Sequence, residues 1–103
     1  MGTLYMKLVG VEIIEEAQKR HADVAKRLSA WKAEVASKTT VWTSYQDIRT
    51  RYPKTDKVGE RYVFDIGGNR FRLIVKVNFA AGVVAVRWFG THAEYDKINV
   101  AEV

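Results

Sequence analysis

Nine side chains able to hold or cut a phosphodiester lie between residues 54 and 95: Lys54, Lys57, Arg61, Arg70, Arg72, Lys76, Arg87, His92 and Tyr95. Arg70, Arg72 and Lys76 interleave with Phe71, Leu73, Val75, Val77 and Phe79. Side chains alternate between the two faces of a strand, so the three cations fall opposite an apolar face. In the following stretch Arg87 falls opposite Val84, Val86 and Trp88, which adds a fourth cation to the common face. Like charges this close repel, and Asp65 is the only acid that the preceding strand offers among them. A bound phosphodiester would relieve that repulsion. Polar residues alternate outward on most half-exposed sheets, so one such Arg carries no weight; four on two neighbouring strands do.

Thr91-His92-Ala93-Glu94 fits a capping box, in which the Thr side chain takes a free amide and the Glu returns to the N–H of the cap. It starts a short helix that is expected to run to about Ile98. His92 then lies in the first turn, where the positive end of the helix dipole favours a neutral imidazole able to take a proton. Tyr95 and Asp96, three and four residues on, come round to the same side. His21 stands instead in an apolar stripe and reads as structural.

The elements that must position these groups follow from periodicity. Ile14, Ala17, His21, Val24, Leu28, Trp31 and Val35 recur at steps of three and four, the mark of a helical stripe. Asp23 is a good N-cap, so the stripe is expected to break into two helices at 21–23, the second reaching about Ser37. Lys7-Leu8-Val9 before Gly10 reads as a brief strand. A third helix is expected over 44–51, stopped by Pro53, which pushes the residue before it out of the helical region. From Glu60 the period becomes two: Tyr62, Phe64 and Ile66 share a face, and Gly67-Gly68-Asn69 and Ala80-Ala81-Gly82 make turns. Three antiparallel strands result. The segment between Pro53 and Gly59 reads as a charged loop.

With 103 residues the chain has room for one hydrophobic core, and residues 1–103 are expected to form a single domain. The composition, 48% hydrophobic and 28% charged, fits a globule, and no apolar run approaches the roughly 20 residues of a membrane span. No Cys is present, and two isolated histidines do not make a zinc cage, so neither a disulfide framework nor a metal cofactor is expected. Met1 to Met6 lacks the basic start and apolar core of a signal peptide, which points to the cytoplasm; Met6 is also a possible start, and no functional weight falls on the residues before it. The net charge of +5 is not spread evenly. Arg49 to Lys76 holds eight basic and three acidic residues, while the rest of the chain balances nine against nine. That concentration favours a surface facing a polyanion.

The run 59–98 resembles the HigB group of toxins from bacterial type II toxin–antitoxin pairs, above all in Gly68-Asn69-Arg70-Phe71-Arg72-Leu73-Ile74-Val75 and in Arg87-Trp88-Phe89-Gly90-Thr91-His92-Ala93-Glu94-Tyr95-Asp96-Lys97-Ile98. The helical half matches in its pattern and in Trp31, Trp42 and the Tyr52-Pro53 turn. The resemblance implies an α+β, RelE/ParE-like fold with N-terminal helices packed on a small antiparallel sheet. It also implies an mRNA interferase that acts on the translating ribosome, and a HigA-like helix-turn-helix antitoxin as partner. The wider RelE-like group uses an Arg on the long strand, here Arg72, a basic residue after the last strand, here His92, and a C-terminal aromatic, here best matched by Tyr95. One departure stands out: RelE carries lysines on the strand before the hairpin, and Tyr62-Val63-Phe64-Asp65-Ile66 has none. The proton acceptor is therefore His92 or a lysine from the Lys54/Lys57 loop.

The resulting expectation is metal-independent attack by a ribose 2′-hydroxyl, which needs a base, a charge clamp on phosphorus and an acid for the leaving oxygen. Arg72 and Arg87 are assigned to the clamp, His92 to acid or base, and Tyr95 to orientation or proton donation. Arg70, Lys76, Lys54, Lys57 and Arg61 are assigned to RNA backbone. Two alternatives stand beside this: a ParE-like gyrase inhibitor on the same fold without catalysis, whose mark would be loss of the His and Arg set that this chain retains, and a single-stranded RNA-binding module stacking bases on Trp42, Tyr45 or Trp88.

Overall fold

A computed structural model of the chain describes residues 6–103; the segment before Met6, and with it the expectation about a leader, lies outside them. Strand β1 (Lys7–Val9) leads through Gly10 into helix α1 (Val11–Arg20), a 3-10 turn (Ala22–Val24) and α2 (Ala25–Val35). Helix α3 (Tyr45–Arg51) follows, then β2 (Asp56–Val58), β3 (Arg61–Ile66), β4 (Phe71–Asn78) and β5 (Val83–Thr91). Helix α4 (His92–Tyr95) and a second 3-10 turn (Val100–Glu102) close the chain. Among the described residues no helix is long and apolar enough to cross a membrane.

The stripe expected along the first two helices is the one that folds inward. Ile14, Ala17, Val24, Leu28, Trp31 and Val35 are buried, and they pack on Tyr62, Phe64, Ile66, Phe71, Leu73, Val75, Val84 and Val86 of the sheet. Each fully buried Leu or Ile contributes about 1.5–3 kcal/mol over leaving it exposed, which makes this face the main source of stability. Met6 belongs to it as well, 3% exposed, its sulfur accepting from the Trp42 amide at 3.5 Å. The break at 21–23 is present, but Asp23 does not cap α2. Its carboxylate pairs with Arg70 across the helix–sheet boundary instead.

The sheet has five strands in the order β1-β5-β4-β3-β2 and is mixed, not purely antiparallel, because β1 runs parallel to β5. Gly10 makes that placement possible. It holds φ at 78°, and a Cβ there would stand 2.5 Å from the Val86 carbonyl oxygen, so the turn from β1 into α1 can lie directly on β5. The segment expected to be a charged loop contains β2, which pairs with β3 through Asp56↔Val63 and Val58↔Arg61.

Two features alter the expected faces. Between Ile74 and Val75 the β4–β5 register shifts: Val75 faces Val86, Ile74 faces Trp88, and Arg87 is the unpaired extra residue of a bulge. Beyond it the alternation of β5 is reversed. Trp88 therefore shares a face with Arg72 and Ile74, and Phe89 turns to the helix side, stacked on Phe71 at 5.3 Å. The expectation that Trp88 would join Val84 and Val86 is overturned by this one extra residue.

The second feature is the chain's end. Helix α4 closes after a single turn instead of reaching Ile98. The segment beyond it is tied down again at Val103, whose backbone oxygen accepts from Arg61 Nη2 at 2.7 Å and Nε at 3.1 Å. It thus crosses the face of the sheet turned away from the helices, where Val63 and Ile74 are 1% and 0% exposed. The surface expected to be half-exposed is largely covered.

Candidate active site

The nine candidate residues do not form one cluster. Arg70 lies in the turn before β4, on the helix side: Nη1 pairs with Asp23, Nε donates to the Gly67 carbonyl, and the guanidinium rests 5.5 Å from the Phe71 ring. Its expected place on the opposite face is therefore corrected, since the turn frees it from the strand's alternation and Asp23 supplies the anion. Arg61 and Lys76 face each other at the far end of β3 and β4, where Arg61 holds Val103 and Lys76 Nζ lies 3.5 Å from Glu60. Lys54 and Lys57 are exposed on the segment between α3 and β3. Arg87 projects from the bulge, exposed, and among the described residues it meets no carboxylate.

What the fold brings together is Arg72, Tyr95 and a set of acids. Arg72 is only 8% exposed. Its Nε lies 3.2 Å from Asp65 Oδ1, its Nη1 donates to the Asn69 and Phe71 carbonyls at 3.2 and 3.1 Å, and its Nη2 donates to Asn69 Oδ1 at 2.6 Å. A guanidinium has five N–H donors, so one hydrogen on Nη2 is left to offer. The cross-strand register sets this arrangement, since Asp65 stands directly opposite Arg72. The charge clamp expected from Arg72 is thus already neutralised by Asp65, and what it presents outward is one oriented donor.

Tyr95 covers that guanidinium, its ring centre 5.8 Å from the Arg72 carbon, and it packs on Trp88 at 6.3 Å. The reversed face of β5 supplies this Trp, so the bulge builds one wall of the site. Burial first, and then the negative charges of Asp56, Asp96 and Asp65, push the Tyr95 phenol above its ordinary value, against the lowering effect of Arg72. It stays protonated at neutral pH and is able to give a proton.

His92 starts α4, half-exposed, with Nε2 3.8 Å from Asp96 Oδ2. Its backbone amide donates to the Arg70 carbonyl at 2.8 Å, which fastens α4 to the start of β4. The capping box read from the sequence is formed: Thr91 Oγ1 accepts from the Glu94 amide at 3.1 Å and Glu94 Oε1 accepts from the Thr91 amide at 2.8 Å. The bond from the Thr91 amide lowers the Glu94 carboxyl below its ordinary value. Because α4 is one turn long, its cap positions His92 and Tyr95, and the dipole expected to act on His92 is that of four residues only. Sequence reasoning missed Asn69 and Asp56. Asn69 stood in a turn motif, and Asp56 lay in what read as a loop.

A family model described as HigB_toxin, the RelE-like toxic component of a toxin–antitoxin system, matches residues 24–98. The chain belongs to this family. The match contains every candidate residue and nearly all the core that positions them. Among curated proteins, an Escherichia coli protein named mRNA interferase HigB is 37% identical over 65 residues, 60% of this chain and 63% of the relative. A Shigella flexneri protein of the same name and an Escherichia coli protein named mRNA interferase toxin HigB are each 31% identical over 87 residues, 77% of this chain and 84% of each relative. The chain thus spans slightly less than two thirds of the first relative's length and most of the other two.

Proposed function

We propose that this chain is the toxin of a toxin–antitoxin pair and an endoribonuclease that cuts mRNA on the ribosome in the cytoplasm. The observation that carries the reading is the contact of Arg72 with Tyr95, set by Asp65 and Asn69, inside the segment that matches the toxin family. The names of the relatives, mRNA interferase in each case, support the same chemistry.

In the proposed step a ribose 2′-oxygen attacks the adjacent phosphorus and loses its proton to a base. The bond to the 5′-oxygen breaks, leaving a 2′,3′-cyclic phosphate and a 5′-hydroxyl. Tyr95, kept protonated, suits the donor to the leaving oxygen, and His92, steadied by Asp96, suits the base. Lys54 and Lys57 remain alternatives for that base. The free Nη2 hydrogen of Arg72 is the donor to a non-bridging phosphate oxygen, while Arg87, exposed and without a carboxylate partner among the described residues, adds net positive charge. Lys54, Lys57, Arg61, Arg70 and Lys76 contribute to the electrostatic attraction of RNA backbone, Arg70, Lys76 and Arg61 less so, since each already has a partner in the chain. A HigA-like helix-turn-helix antitoxin is the proposed partner.

Expression without an antitoxin tests the reading. Growth should stop, mapped transcripts should acquire new 5′-hydroxyl ends inside translated frames, and those ends should vanish when initiation is blocked. Relaxed plasmid DNA with intact transcripts would show gyrase inhibition instead. Binding to ribosomes should weaken steeply with salt if backbone contacts dominate.

A further inference from the structure

Where the basic stretch keeps its charge is decided by pairing. Of the cations between Arg49 and Lys76, Arg51, Arg70, Arg72 and Lys76 each meet a carboxylate: Glu34, Asp23, Asp65 and Glu60. Arg61 is held by the Val103 carbonyl. Among the described residues Arg49, Lys54 and Lys57 meet no acid, so the uncompensated charge gathers on the short segment from α3 to β2. Arg27, on the outer side of α2, is likewise without an ion pair among the described residues.

Two adjoining clefts include one of these cations each, Arg27 in the first, beside Glu34, and Lys54 in the second. One, of about 270 Å³, has Arg27 and Trp31 in its lining; the other, of about 310 Å³, has Lys54 and Thr55; Arg51, Tyr52, Asp65 and Gly68 line both. The walls of the second are mainly apolar, from Tyr52, Pro53 and Phe64. Gly68 leaves the rim open, since nothing lies within 4 Å of where its Cβ would stand. Trp31 and Thr55 are 2% and 3% exposed, and their polar atoms, Nε1 and Oγ1, are the buried side-chain atoms that find no hydrogen-bond partner among the described residues. A buried donor without a partner is costly, and a ligand that supplies the partner is one reason for it to persist.

We infer that this double cleft is a nucleotide subsite, which takes one base of single-stranded RNA against Tyr52 and Pro53 with its phosphate towards Lys54 and Arg27. An apolar slot of base size with Lys54 and Arg27, which meet no acid among the described residues, in its lining suits a nucleotide better than an apolar side chain or a bare anion. The inference rests on the RNA-cleaving reading above and deepens it. Asp65 lines both clefts and also pairs with Arg72, so the seated nucleotide is a neighbour of the one that is cut. The Thr55 hydroxyl and the Trp31 indole N–H are the groups positioned to tell one base from another.

The test is a titration of the full-length protein with the four nucleoside 5′-monophosphates, followed by nitrogen–proton spectra. The chain has three indole N–H signals, from Trp31, Trp42 and Trp88, so Trp31 reports the cleft and Trp42 serves as a control. The Trp31 indole and the Thr55 amide should shift saturably, and inorganic phosphate alone should not reproduce those shifts. Lys54→Ala should weaken binding about two- to fivefold, the worth of one exposed charge contact, and Thr55→Val should change the order of preference among the four bases in a protein as stable as the wild type. Unmoved Trp31 and Thr55 signals at millimolar nucleotide, in a protein that still cuts mRNA, would overturn the subsite and leave the cleavage reading intact. Saturable shifts in a protein that cuts no mRNA would establish the subsite and sink the cleavage reading.

Discussion

The Trp88 indole folds back over Gly90: a Cβ on Gly90 would stand 2.4 Å from Trp88 Cη2 and 2.6 Å from Cζ2. The same indole packs on Tyr95. Space left by a missing side chain on β5 is therefore what lets an aromatic wall lie beside the candidate site. Gly90→Ala should force the ring away at a cost of about 1–3 kcal/mol for overpacking. Tryptophan emission should change, and cleavage should fall more than the loss of folded protein explains. An unchanged cleavage rate in a protein with displaced Trp88 would separate this wall from the chemistry.

Replacing Arg72 tests structure and chemistry together. The sequence places it on an outward face, where Arg72→Ala would leave the fold nearly intact, but at 8% exposure with Asp65 beside it its removal strands a carboxylate. A cost of about 1–3 kcal/mol is expected, less than for a fully buried pair because Asp65 is partly exposed. Adding Asp65→Asn should recover part of the urea midpoint and none of the cleavage. Recovery of both would reduce Arg72 to a structural cation.

His92→Ala isolates the proton transfer. The side chain is half-exposed and no core contact depends on it, so folding and ribosome binding should hold. Single-turnover cleavage on programmed ribosomes should drop by about 10²–10⁴. A rate within a few-fold of wild type would hand the base to Lys54 or Lys57.

Alkaline pH should unfold the protein through its tyrosines. Tyr52 is raised well above its ordinary value, by burial first and then by the hydrogen bond it donates to the Glu34 carboxylate at 2.9 Å; Tyr62 and Tyr95 are raised mainly by burial. Unfolded phenols ionise near pH 10 while the folded ones keep their protons. The stabilisation is complete below about pH 10 and is lost as pH rises from there through the folded values. Urea midpoints measured between pH 8 and 11 should fall at the top of that range, and Tyr52→Phe should flatten the fall. An equal slope in the variant would place the alkaline sensitivity elsewhere.

The helical stripe, the β3–β4 hairpin and the Thr91 capping box were legible because each is a local pattern whose period or spacing fixes its geometry. Asp65 was visible as the sole acid near the cations, yet only the register between β3 and β4 turns that into an ion pair with Arg72. Lys7-Leu8-Val9 was legible as a brief strand, but its parallel pairing with β5, the short β2 and the segment covering Val63 and Ile74 were not, since each depends on contacts between distant parts of the chain. Arg70 misled because a turn residue is not bound by the alternation of the strand it precedes. Arg87 and Trp88 misled for the opposite reason: the alternation was real, but it was interrupted once.

That interruption makes the unpaired state of Arg87 part of the site. Removing Arg87 would take out the extra residue and leave Trp88 opposite Ile74, whereas a regular ladder that kept Arg87 paired would exchange the places of Trp88 and Phe89, sending the indole among the helices and a smaller ring towards Tyr95. Relatives that keep the same aromatic pair and the same number of residues but pair this strand without the bulge would then carry them on opposite sides, so a comparison by residue type alone would align the letters and misplace the wall.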